Sequence, residues 1–167
     1  MRTIGRASIV FLMLSLMVGC GARMTEEQMR AKAIEAENSE QWDEAISAYE
    51  RLVNKYKESP VREEALYKLG MLYANHSKDF QKSIDSYERL ISDYPSSDYT
   101  VKASFMIGYE YANHVQDLEK ARIAYSDFLA KYPDHELAVS VKWELDHLGK
   151  DISELDLIFE GSAPESN

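Results

Sequence analysis

Three stretches of this chain lie under one another at a constant spacing of 38 residues: WDEAISAYERLVNKYKESP from Trp42, FQKSIDSYERLISDYPSSD from Phe80 and LEKARIAYSDFLAKYPDHE from Leu118. No gap is needed. The aligned columns read Trp42/Phe80/Leu118, Ala45/Ser83/Ala121, Tyr49/Tyr87/Tyr125, Leu52/Leu90/Phe128 and Tyr56/Tyr94/Tyr132, and Pro95 and Pro133 fall in register. The intervening stretches repeat too, as Ala65/Ala103, Tyr67/Phe105/Trp143, Leu69/Ile107/Leu145, Gly70/Gly108 and Tyr73/Tyr111. A repeat of this length is one supersecondary unit that buries its apolar face only against its neighbours.

Each unit reads as two helices. Ala45, Tyr49, Leu52 and Tyr56 step by four, three and four, which places them on one helical stripe. In units two and three a Tyr-Pro pair ends that helix, because proline donates no amide and restricts the residue before it. A second helical stretch is predicted over Val61 to Asn75 and Thr100 to Asn113, with a short polar link after each. Thr25-Glu26-Glu27-Gln28 has a capping-box pattern and opens a degenerate first helix, with Met29, Ala31 and Ala36 in the aligned columns. His135 to Gly149 reads as a last, unpaired first-type helix. Beyond it, Asp151 as N-cap and Ile152, Leu155, Ile158 and Phe159 along one face predict a short helix. That helix either covers the open end of the array or docks a partner.

The pattern resembles the tetratricopeptide repeat. The leucine–glycine–aromatic signature of its helix A appears as Leu69-Gly70-Met71-Leu72-Tyr73 and Ile107-Gly108-Tyr109-Glu110-Tyr111. The small–aromatic–proline signature of its helix B appears as Ser83, Tyr87 and Pro95, then Ala121, Tyr125 and Pro133. The usual period is 34. Here one extra residue falls between helices A and B, and three more follow the proline. The resemblance implies an all-α solenoid of antiparallel helix pairs over 25–149, about three repeats plus a terminal helix. Segment 150–160 is then a C-terminal capping helix, and 161–167 an unstructured tail.

The first residues are of another kind. MRTIGR is basic, and a short apolar run leads to Cys20, the one cysteine in the chain. This is the pattern of a secretory signal over 1–19, too short for a spanning helix of about 20 residues. Cys20 after Met17-Val18-Gly19 resembles the lipobox of bacterial lipoproteins. The resemblance implies lipid attachment at Cys20, a tether over 20–24 and, with Gly21 in place of aspartate, an outer-membrane, periplasm-facing location. Gly21 to Met24 span about 14 Å at most, so the solenoid is expected against its own membrane. From Cys20 onward, 17 basic residues (the 19 of the chain less Arg2 and Arg6) face 29 acidic ones, a formal charge of −12. That balance opposes phosphate backbones and excludes nucleic acid as the expected partner.

The tetrapeptide YANH occurs at Tyr73 to His76 and again at Tyr111 to His114. Zinc would need three or four ligands at about 2 Å, whereas equivalent residues of neighbouring helices stand about 10 Å apart. The pair is expected to be scaffold, with each asparagine at a left-handed helix end and each histidine at the negative pole of the helix dipole. No HExxH, GxSxG or phosphate loop is present. The chain is therefore expected to be non-catalytic, with no cofactor and no metal; a cell-wall enzyme is the remaining alternative.

In the tetratricopeptide family the helix A faces form a groove for partner segments. Carried over column by column, that groove comprises Tyr67, Phe105 and Trp143, then Met71, Tyr109 and His147, with Asn75 and Asn113 near its end. Packing between repeats is the alternative role for Phe105 and Trp143. Tandem units of this form behind a lipobox resemble the BamD group of β-barrel assembly accessories. They also resemble the YbgF/CpoB group linked to the Tol-Pal system and peptidoglycan synthesis. The anchor implies the first job, and the repeat count the second.

Overall fold

The computed structural model describes residues 24–150. The expected signal (1–19), Cys20 and its tether as far as residue 23, the capping helix beyond Lys150 and the tail (161–167) lie outside the described residues. Seven α-helices follow one another: α1 Glu26–Asn38, α2 Trp42–Lys55, α3 Arg62–Leu72, α4 Phe80–Asp93, α5 Asp98–Glu110, α6 Leu118–Lys131 and α7 Ala138–His147. Among the described residues there is no strand. Helices α1, α3, α5 and α7 are the A helices, and α2, α4 and α6 the B helices. Each packs on the next in the chain.

Local chemistry sets most boundaries. Thr25 and Gln28 form the expected capping box, with Gln28 N donating to Thr25 Oγ1 at 3.3 Å and Thr25 N to Gln28 Oε1 at 3.0 Å. Asp79 and Asp117 cap α4 and α6, accepting from Lys82 N and Lys120 N at 3.1 Å each. Between B and A helices one loop position does the same task three times. Val61 N and Tyr99 N donate to the hydroxyls of Ser59 and Ser97, and Leu137 N donates to His135 Nδ1, each at 3.1 Å. An imidazole nitrogen there replaces a hydroxyl as acceptor.

The residue added between helices A and B has a definite place. Helices α3 and α5 stop short of Asn75 and Asn113, and the YANH stretches form π turns over Tyr73–Ser77 and Tyr111–Val115. A π turn carries one residue more than an α turn of the same span. The hydrogen bonds that close these ends record the difference. Gln41 N reaches back five residues to Ala36 O, whereas Asp79 N and Asp117 N reach back six, to Tyr73 O and Tyr111 O. Left-handed backbone falls on Glu40, Lys78 and Gln116, at φ 57°, 54° and 60°, not on the asparagines. The turn needs its left-handed residue one step before the next N-cap, beyond the π segment.

Repeat 1 has no π turn, so its helix A is displaced by one residue from the 38-residue register. Ala36 matches Tyr73, and Ala33, fully buried, matches Gly70. Ala31, the residue the even spacing selects, is exposed. The core runs continuously along the array through Tyr49, Leu52, Leu66, Leu69, Tyr87 and Leu90. A second cluster around Tyr125, Phe128, Ala138 and Val141 closes the last repeat. Each buried leucine or phenylalanine side chain contributes about 1.5–3 kcal/mol. Gly70 and Gly108 make the A–B packing possible. A Cβ on Gly70 would lie 2.3 Å from Tyr87 Cε1, and one on Gly108 would lie 2.4 Å from Tyr125 Cε1.

Helix α7 begins at Ala138 and ends at His147, shorter at both ends than the His135 to Gly149 reading. Leu148 (φ −57°, ψ 121°) and Gly149 (φ 78°) then form a type II turn, in which Lys150 N donates to His147 O at 3.0 Å. The turn rests on Leu118, whose Cδ1 would lie 3.0 Å from a Cβ at Gly149.

Candidate partner-binding face

With the one-residue displacement applied, the A helices present a ladder of equivalent positions: Ile34, Met71, Tyr109 and His147. Ile34 is 37% exposed and Met71 36%, while Tyr109 and His147 are half-buried. A second ladder, Asn38, Asn75 and Asn113, is exposed at the same ends of these helices. Even spacing by 38 does not find Ile34 or Asn38, since it selects Ala33 and Glu37. The shift shows only in the structure, in the shorter link of repeat 1, where three residues separate α1 from α2.

Some of these polar groups already have work. Asn113 Nδ2 donates to Tyr109 O at 3.1 Å, taking up a carbonyl at the junction where the α ladder becomes a π turn. His147 Nδ1 lies 2.7 Å from Trp143 O. Arg30 pairs with Glu64 at 3.1 Å, and Lys68 with Glu37 at 2.7 Å, linking α1 to α3. Glu37 also accepts from Tyr49 OH at 2.9 Å. Burial, reinforced by that carboxylate, pushes the Tyr49 phenol far above its ordinary range.

The column Tyr67, Phe105 and Trp143 sits differently. Tyr67 is packed 5.9 Å from Tyr87 of α4 and 5.2 Å from Tyr99 of α5, and Phe105 lies 6.3 Å from Tyr125 of α6. These two rings fill the seam between an A helix and the helices that follow it. Trp143 holds the equivalent place on α7. It is 45% exposed and stacks on His147 of its own helix at 4.5 Å.

The YANH histidines join successive repeats. His76 stacks on Trp42, the first residue of the preceding helix B, with ring centroids 3.6 Å apart and planes 14° from parallel. His114 meets Phe80, its counterpart in the next unit, edge-on at 4.3 Å. Both histidines stand in the last turn of their π segments, as expected, and each also makes an aromatic contact that the column Trp42/Phe80/Leu118 could have suggested. Among the described residues no three metal-ligating side chains cluster.

One charged side chain has no counterpart in the pattern. Glu110 occupies the position of Leu72 and is 1% exposed. Its Oε2 has no hydrogen-bond partner among the described residues and stands 3.9 Å from His114 Nδ1. Burial raises the Glu110 carboxyl above the ordinary carboxylate range, with the Lys78 charge opposing. Burial, aided by the Lys78 charge, lowers His114. Away from this face, between α4, α5 and α6, lies a cavity of about 390 Å³ lined by Ile91, Ile107, Ile123 and Phe128.

A repeat-family model agrees with this architecture. The tetratricopeptide-repeat family model matches twice, at residues 26–59 and 64–97, which are the α1–α2 and α3–α4 pairs. Among solved structures, the C-terminal tetratricopeptide-repeat domain of an FK506-binding protein of Plasmodium falciparum is similar. Its identity is 16% and its TM-score 0.49, over 82% of this chain and 97% of that one. No curated protein sequence matches. The described residues form an all-α solenoid of antiparallel helix pairs, two of which match the tetratricopeptide repeat.

Proposed function

We propose that this solenoid is a non-catalytic scaffold held at a bacterial outer membrane by a lipid on Cys20, and that its A-helix face takes a segment of an envelope protein. The reading is carried by the Ile34/Met71/Tyr109/His147 ladder with its flanking asparagines. An apolar line edged by amides supplies contact area and backbone hydrogen bonding to an extended or helical segment. Met71, Tyr109, Asn75, Asn113 and His147 form the centre of that face, while Tyr67 and Phe105 support it from the seam. The role is that of an accessory to β-barrel assembly. The anchor proposed at Cys20, with four residues between it and the first helix cap, favours a partner close to the membrane.

In-cell photo-crosslinking from position 109, with the adduct identified by mass spectrometry, tests the job. A barrel-assembly component is the expected adduct. Tol-Pal or cell-wall synthesis proteins would support the second reading, which three helix pairs and a terminal helix favour by repeat number. No adduct from 109 would reject this face. Metabolic labelling with a palmitate analogue tests the anchor separately: label must be present in the native chain and absent in Cys20→Ser.

A further inference from the structure

Successive B helices leave two equivalent grooves, one between α2 and α4 over α3, the other between α4 and α6 over α5. The chain fills the first itself. Arg89 reaches across from α4 to α2, donating from Nη1 to Asn54 Oδ1 at 3.1 Å and from Nη2 to Val53 O at 3.4 Å. Val53, Leu66 and Leu69 are buried there, and a cavity of about 190 Å³ remains. The second groove lacks that arm, since Asp127 stands in place of Arg89 and Ser104 in place of Leu66. Ile91 and Ile107, the equivalents of Val53 and Leu69, are only half-buried, and Ile123, in place of Asp85, is 52% exposed. The cavity widens to about 390 Å³.

The polar groups of the second groove are unbalanced in the same sense. Val53 O accepts from Arg62 Nε as well as from Arg89. At Ile91 O both donors are gone: Thr100, in place of Arg62, gives its hydroxyl to Tyr94 O, and Asp127 has no proton to give. Pro95, four residues on, has no amide hydrogen either. On the rim, Lys120 pairs with Asp117 at 3.3 Å and Lys131 lies over the Tyr132 ring at 5.2 Å. Glu88 on α4 and Asp127 on α6 are exposed and have no ion pair among the described residues.

We propose that the α4–α6 groove receives a segment of a partner protein carrying an arginine beside a large apolar side chain. The apolar side chain lies on Ile91, Ile107 and Ile123. A cavity of about 150 Å³ already takes a benzene ring, so the volume suffices. The guanidinium takes the place that Arg89 fills in the first groove, donating to Ile91 O and to the Asp127 carboxylate. Arginine suits this better than lysine, because its planar fork of N–H groups serves a carbonyl and a carboxylate together. This surface is distinct from the A-helix face and binds whether or not that face does.

The test is an NMR titration of the full chain carrying Cys20→Ser, labelled at its isoleucine methyl groups, with the capped tripeptide leucyl-leucyl-arginine amide. Saturable shifts are expected at Ile91, Ile107 and Ile123, and none at Ile34 on the A-helix face. Affinity should fall by about fivefold or more when glutamate replaces the arginine of the peptide, and likewise when Asp127→Arg gives the groove an arm of its own. Should that variant fail to fold, Asp127→Asn removes the charge alone and must weaken binding in the same direction. Equal affinity for the two peptides would show that no cation is recognised. Shifts at Ile34 alone would assign the peptide to the other face, and shifts with laurate but not with peptide would assign the groove to an acyl chain. Any of these, or no shift at millimolar peptide, overturns the proposal.

Discussion

The ring of Tyr87 lies on the backbone of Gly70, so close that a methyl group on Gly70 would come within 2.3 Å of Cε1. Tyr125 lies on Gly108 in the same way one repeat later. In a free helix, glycine to alanine is a gain of about 1 kcal/mol. Here the clash outweighs it, because overpacking a closed core costs about 1–3 kcal/mol. Gly70→Ala and Gly108→Ala should each lower stability in chemical denaturation, by about 1 kcal/mol net. Combining Gly70→Ala with Tyr87→Leu should cost less than the sum of the two alone. Strict additivity would mean the contact is not the cause.

Glu110 and Leu72 are equivalent in position and opposite in chemistry. A buried polar group without a partner costs about 1–3 kcal/mol, so Glu110→Leu should raise the melting temperature at neutral pH. The sign of the pH effect follows from the raised carboxyl pKa. The folded chain holds this proton more tightly than the unfolded one, so the acid destabilises progressively as pH climbs from about 4.5 through the folded-state value. Stability of the native protein relative to Glu110→Gln should therefore fall over that range. A constant difference would show that the carboxyl does not titrate differently on folding.

Replacing His76 by alanine removes a stacked ring from Trp42 and should cost about 0.5–1.5 kcal/mol. Because the contact is aromatic, His76→Phe should recover much of the loss. Zinc should leave the melting temperature of the native protein unchanged. A zinc-dependent rise abolished by His76→Ala would overturn the packing role.

Arg62 is buried, donating from Nε to Val53 O at 2.9 Å and pairing through Nη1 with Asp93 at 2.8 Å. Thr100 holds the same place one unit on and satisfies Tyr94 O with its hydroxyl at 2.6 Å. Removing Arg62 leaves the Val53 carbonyl only the longer, 3.4 Å bond from Arg89 Nη2, while Asp93 is open enough to regain water. Arg62→Leu should destabilise by about 2–3 kcal/mol, below the full cost of breaking a wholly buried pair. Equal stability of the variant and the native protein in urea titration would sink this account.

The solenoid and most of its core were legible because period, stripe and punctuation agree: Tyr49, Leu52, Tyr87 and Leu90 are buried where their columns require. The candidate face was legible in part. Met71, Tyr109 and the two YANH asparagines follow from the pattern, but Ile34 and Asn38 do not. A one-residue change of backbone winding in the turn carries no residue signature of its own, and it shifts a whole helix face. Glu110 was invisible for a different reason. A glutamate in a helix reads as solvated, and only packing beside Tyr87 and Lys78 of the preceding unit encloses it.

The π turn has a consequence for how such a chain can vary. The added residue is absorbed within a single winding, so the left-handed residue, the cap and the next helix B keep their places. Length and packing are thereby uncoupled at this point: repeats with and without the insertion share one continuous core. What changes is register: Ala33 takes the buried place of Gly70 and Ile34 the outer place of Met71. Loss or gain of one residue here renumbers the buried and the outer positions of an A helix together and leaves the stack beneath it intact.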